Sequence, residues 1–153
     1  MSRYAEKTSV SVEKSRAEVE RILHRYGCDD FAYRTNRKGA TIAFSMCERM
    51  MRFDIKLPDP NDTDFTATPT GRDRSDAQAY KAWEQACRQR WRALALIIKA
   101  KLEAVESGIT SFDIEFMAHT IVPGGKVFHE VALPQIAAAY ETGKLPPLLG
   151  SGR

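Results

Sequence analysis

The chain has 153 residues, with 23 Lys or Arg against 20 Asp or Glu and an apolar fraction of 43%. That length suits one domain with a buried core, residues 1–153, and a net charge of only +3 excludes a histone-like cationic protein. No run approaches the roughly 18 apolar residues of a membrane span, and the N-terminus has no apolar signal core. Cys28, Cys47 and Cys87 lie far apart without paired spacing, as reduced thiols do, so the expectation is a soluble cytoplasmic protein.

Charge is unevenly distributed. Residues 1–57 carry twelve Lys or Arg against eight Asp or Glu, and residues 76–108 carry six against four, so the basic surplus lies on these two parts.

Taken in order, Thr8–Val12 alternates with Val10 and Val12 on one face, which predicts a short strand. Ser15 and Glu18 have the spacing of a capping box. The helix this predicts carries Val19, Ile22, Leu23 and Tyr26 on one side and stops at Gly27. Three alternating stretches follow: Phe31 and Tyr33; then Ile42, Phe44 and Met46 after the turn Asn36–Gly39; then Met51, Phe53, Ile55 and Leu57. The last two keep their apolar sets on one face, as half-buried antiparallel strands require. The other face holds Arg34, then Thr41, Ala43 and Ser45, then Arg52, Asp54 and Lys56, which is small in the middle and mostly basic at the sides. It reads as a solvated sheet face, as a platform for a polyanion, or as a contact between two sheets.

Residues 58–75 are rich in Pro, Asp and Thr and predict a mobile acidic loop around a lone Phe65. Asp59, Asp62 and Asp64 lack the Gly and terminal Glu of a calcium-binding loop. Ser75 and Gln78 form a second capping-box pattern, opening a helix over 76–108. Its apolar residues Tyr80, Trp83, Cys87, Trp91, Leu94, Ile98, Leu102 and Val105 recur every three or four positions, a period that no strand satisfies. Lys81, Arg88, Arg92 and Lys99 lie in a row beside that stripe. Such a row either snorkels around a buried face or matches a polyanion backbone.

Ser107-Gly108 closes the long helix. Thr110 and Asp113 suggest a short helix carrying Phe112, Phe116 and Met117. Residues 121–128 read as a small hairpin about Pro123–Lys126, and Pro134 opens a helix Gln135–Thr142 ended by Gly143. The tail holds Leu145, Leu148 and Leu149.

Nucleotide-phosphate loops, zinc-protease helices and nucleophile elbows are absent from the sequence. His119 and His129 bracket the 123–126 turn and, with Glu115 one helical turn before His119 and Glu130 beside His129, are candidates for a metal or acid–base constellation that no third-ligand spacing fixes. No catalytic residue is assigned and no cofactor is expected.

The stretches Thr8–Gly27 (TSVSVEKSRAEVERILHRYG), Trp83–Thr110 (WEQACRQRWRALALIIKAKLEAVESGIT) and Pro134–Leu149 (PQIAAAYETGKLPPLL) resemble an uncharacterised family of small proteins recurring in bacteriophages, prophages and other mobile elements. The resemblance implies a bacterial cytoplasmic setting and a phage-linked role, and it transfers no catalytic residues.

The expected fold is α+β: a small antiparallel sheet packed on one face by a short and a long helix, with a helical C-terminal subdomain. A helix of about 32 residues spans roughly 48 Å. A domain of this length is only about 38 Å across. A homo-oligomer is therefore expected, with Trp83, Trp91, Leu145, Leu148 and Leu149 as contacts. The first functional expectation is a nucleic-acid-binding accessory protein that holds a backbone through Arg34, Arg37, Lys38, Arg52, Arg88, Arg92 and Lys99, with Tyr33 stacking a base. The alternatives are an anti-defence protein, which covers a host protein or sequesters a nucleotide between protomers, and a metal-assisted hydrolase using His119 and His129. No membrane partner is expected.

Overall fold

The structure is a computed structural model and describes residues 5–147. The three alternating stretches form an antiparallel meander in the order β1 (Asp30–Thr35), β2 (Gly39–Met46) and β3 (Arg49–Lys56). Phe31, Phe44 and Met51 face one another across the strands, as do Tyr33, Ile42 and Phe53. Alternate residues therefore share a face, and Ala40, Ile42, Phe44, Met46, Met51 and Phe53 are buried on it. The β1–β2 turn is held by Asn36, whose Oδ1 accepts the amides of Lys38 (2.8 Å) and Gly39 (3.0 Å). Gly39 is required there, because a Cβ would stand 2.5 Å from the Ile55 carbonyl oxygen. The β2–β3 turn puts Cys47 and Glu48 at φ 51° and 59°. These left-handed values suit a tight hairpin, although neither residue is the Gly or Asn that favours them.

Two helices cover the apolar face. Helix α1 (Val12–Arg25) begins one turn before the sequence pattern suggests, because Ser11 rather than Ser15 caps it by accepting the Lys14 amide. The strand expected at Thr8–Val12 does not form. No neighbouring strand pairs with it, and Val12 already belongs to α1. Helix α2 (Thr63–Thr66) is a single turn, and the long helix α3 (Asp76–Glu106) has 31 residues with both halves of the Ser75–Gln78 capping box in place. Val19 and Leu23 of α1, the inner sheet face, and Trp91, Leu94, Ile98 and Leu102 of α3 form one core, closed at one end by Phe112 and Phe116. The Phe116 ring meets Phe44 and Phe53 edge-on. The fold is α+β, as the alternating and 3.6-residue periods require.

Residues 58–75, expected as a mobile acidic loop, carry one helical turn and a set of internal hydrogen bonds. Arg74 donates to the carbonyls of Asp64 (3.2 Å) and Phe65 (3.1 Å), Ala67 bridges to Asp73, and the Trp83 indole donates to the Pro58 carbonyl (2.8 Å). The polar composition is used internally, and the segment folds against the first turns of α3.

The C-terminal part runs through α4 (Phe112–Glu115), a 3-10 turn at Met117–His119 and α5 (Phe128–Thr142). It joins the free edge of β3, where the Ile121 amide donates to the Met50 carbonyl (2.8 Å). The expected hairpin is present in small form, with Ile121 bridged to Val127 and the amides of Val122 and Phe128 donating to the carbonyls of Lys126 (2.9 Å) and Thr120 (2.8 Å), and α5 begins at Phe128 rather than beyond Pro134. Its first turn is secured by buried Val127, whose amide donates to Glu130 Oε2 (3.0 Å). Pro134 sits inside the helix. Its ring removes one amide donor there, on a helix whose only buried residue is Ala132.

Candidate functional site

Seven cations were expected to form a binding surface, and the structure divides them into two groups. Three are held within the molecule. Arg92 of α3 forms an ion pair with Glu18 of α1, and both side chains are about four-fifths buried (22% and 21% exposed). Arg88 pairs with Glu84 (3.1 Å) and donates from Nε (3.0 Å) and Nη2 (2.6 Å) to the Gln85 amide oxygen. Arg52 links three parts of the chain: Asp54 on its own strand (3.0 Å), Glu130 on α5 (3.3 Å) and the Gly125 carbonyl (3.3 Å). The expected row along α3 is therefore corrected. Its middle is the seam where α1 faces α3, so the acids that neutralise it come from another helix and from the preceding turn.

The others remain open. Arg34 on β1, Arg37 and Lys38 in the β1–β2 turn, and Lys99 on α3 are exposed. Among the described residues none of them has an ion-pair partner, nor does Lys56 on β3. Strand register brings four of these together. Arg34 stands opposite Thr41, and Gly39, which closes the turn holding Arg37 and Lys38, stands opposite Lys56. The same end of the sheet thus carries Arg34, Arg37, Lys38 and Lys56. The nearest acid on that face, Asp54, already accepts from the Thr41 hydroxyl (2.9 Å) and Arg52. Thr41, Ala43 and Ser45 keep the centre of the outer face low, with no ring projecting from it.

Tyr33 does not join this surface. It pairs with Ile42 on the helix-covered face, is 49% exposed, and has the Arg16 guanidinium 4.1 Å above its ring. A base stacking there would displace a cation–π contact. Arg16, on α1, had no sequence signal connecting it with Tyr33.

His119 and His129 do meet, with ring centroids 5.8 Å apart. His119 also stacks flat on Phe53, centroid to centroid 3.8 Å, and its Nδ1 is buried without a partner. Burial holds its pKa below the ordinary imidazole value. The neighbouring His129 and, more weakly, Lys101 push the same way, while the Arg52 backbone and Asp54 oppose them. Among the described residues no three His, Cys, Asp or Glu stand together to hold a metal. This arrangement packs a neutral imidazole against an aromatic ring between β3 and α5.

Of the expected oligomer contacts, Trp91 is corrected outright: at 1% exposure it fills the core beneath the sheet. Trp83 is half-buried and its indole N–H is used on Pro58, whereas its neighbour Tyr80, placed in the same apolar stripe by period, is 59% exposed. Leu145 is 77% exposed, and Leu148 and Leu149 lie outside the described residues. Beside α3 an open concavity of about 500 Å³ is lined by Glu6, Lys7, Thr8, Ser9, Gln85 and Arg88. An anion entering it would compete with Glu84 and Gln85 for Arg88. Cys28 and Cys87 are buried, and burial raises both thiols above their ordinary pKa.

No helix among the described residues is long and apolar enough to cross a membrane. No protein-family model, characterised protein or solved structure matches the chain.

Proposed function

We propose that the protein binds the backbone of a nucleic acid, without sequence preference, through the end of the sheet that carries Arg34, Arg37, Lys38 and Lys56. One observation supports this reading above the others: these four cations share one end of the sheet with no ion-pair partner among the described residues, while Arg52, Arg88 and Arg92 are neutralised within the fold. Unpaired guanidinium and ammonium groups around a small-residue face attract phosphates and offer no base-edge readout. The proposed setting, an accessory protein of a phage or mobile element acting as a homo-oligomer in a bacterial cytoplasm, rests on the resemblance of the three quoted stretches.

Fluorescence anisotropy with labelled single-stranded and duplex DNA tests the proposal. If four phosphates are neutralised on duplex DNA, affinity falls on the order of 100-fold between about 50 and 200 mM salt. The triple substitution Arg34→Glu, Arg37→Glu, Lys38→Glu is expected to abolish binding. No binding by the unaltered protein at micromolar concentration in low salt overturns the proposal, as does a triple variant that binds equally well.

A further inference from the structure

Helix α5 carries a surface that the nucleic-acid reading does not use. Leu133 (59% exposed), Ile136 (40%) and Tyr140 (89%) are turned to solvent, and Ala137 is exposed between them. Their spacing is i, i+3, i+4 and i+7, which places all four on one side of the helix. Leu145 lies just beyond it at 77% exposure. The opposite side of α5, around buried Ala132, is the one that leans on the Met117–His119 turn. A stripe with this spacing is the kind that one helix lays against another.

We infer that this face is where a second copy of the chain docks, α5 against α5, antiparallel about a two-fold axis passing between Ile136 and Ala137. The proposal deepens the homo-oligomeric part of the reading above and is independent of its nucleic-acid part. Three features favour a second copy over an unrelated partner. First, the spacing is symmetric about its midpoint. A two-fold antiparallel pair therefore sets Leu133 against Tyr140 of the second copy and Ile136 against its Ala137, a large residue facing a small one at the centre. Second, the charges suit themselves. The stripe itself contains none, so pairing buries no charge; Glu141 and Lys144 flank its end, and antiparallel pairing brings Lys144 near Glu130 of the second copy, a carboxylate that Arg52 and the Val127 amide already engage. Antiparallel alignment also sets the helix dipoles in opposition. Third, the area fits. The three large side chains of the stripe together with Leu145 leave on the order of 500 Å² exposed per copy, or about 1,000 Å² in the pair, the lower bound for a specific interface. An interface at that lower bound is expected to give a dimer in exchange with monomer.

Sedimentation velocity of the full chain from about 1 to 100 µM reads the association directly. The expected mass rises from 17.2 kDa toward twice that value across the series. Leu133→Glu and Tyr140→Glu, both at exposed positions, are expected to stay folded by far-UV circular dichroism and monomeric throughout. Ala137→Cys, in a Cys47→Ser background that removes the exposed native thiol, is expected to form a covalent dimer on mild oxidation. A chain that is monomeric at about 100 µM overturns the inference, as does a dimer that survives both glutamate substitutions or an Ala137→Cys variant that does not cross-link. The anisotropy titration separates this result from the nucleic-acid proposal, because α5 variants retain the sheet-end cations and the triple hairpin variant retains α5.

Discussion

Ser15 illustrates how a local motif is resolved by its surroundings. The Ser15–Glu18 spacing is that of a capping box and places the start of α1 at Ser15. In the structure Ser11 caps the helix, and Ser15 is fully buried inside it with its hydroxyl unpartnered. A buried hydroxyl without a hydrogen bond is unfavourable, and Ala is the better helix former. Ser15→Ala is therefore expected to raise stability by about 1 kcal/mol, seen in urea as a higher midpoint at unchanged slope. A lower midpoint would show that the hydroxyl has a partner in solution. Tyr33 teaches the same lesson: its alternation with Phe31 is legible, but the guanidinium above its ring comes from α1. Tyr26 likewise donates to Glu103 (2.5 Å), the main reason its phenol is held above its ordinary pKa, and no spacing in the sequence announces that pair.

Between elements, the most informative contact is the Arg92–Glu18 pair that joins α3 to α1. Removing Arg92 leaves a carboxylate only about a fifth exposed facing an apolar seam. Arg92→Ala is expected to lower stability by about 2 kcal/mol, less than for a fully buried pair because water still reaches it. Urea denaturation measures that loss. DNA affinity per folded molecule should stay unchanged, and a selective loss of affinity would return Arg92 to the binding surface. Element boundaries follow the sequence where period and cap agree, as in the Ser75-capped α3, and where alternation meets a pairing strand, as in β2 and β3. They were misread at Thr8–Val12, where alternation without a pairing strand makes no sheet. Pro134 misled in a similar way: it marks helix starts only on average, and this helix already had a secured first turn.

Across the whole molecule, the joint between the sheet and α5 is where a pH dependence of stability is expected. His119 is packed neutral against Phe53, and burial depresses its folded pKa below the ordinary value of 6.5. The unfolded chain therefore takes up a proton at a higher pH than the folded one. Stability is fully present above about 6.5 and declines as pH falls from there toward the lower folded value, by at most about 1.4 kcal/mol per pH unit for one group. His119→Phe keeps a flat ring on Phe53 but cannot titrate. The difference in unfolding free energy between the two proteins, followed from pH 7.5 down to pH 5, should shift in favour of the variant. A constant difference would remove His119 from the account.

The sequence by itself determined the α+β class, the three half-buried antiparallel strands, the long capped helix and the apolar face of β2 and β3, while the order of the strands in the sheet came from the tertiary structure. Period and capping are properties of a single segment, so a single segment suffices to read them. Tertiary structure alone decided which of the seven expected cations are free. Glu18 lies 74 residues from Arg92, and Glu130 lies 78 residues from Arg52. A charge is neutralised by what folding brings beside it, and strand register, not the order of residues, gathered Arg34, Arg37, Lys38 and Lys56 at one end of the sheet.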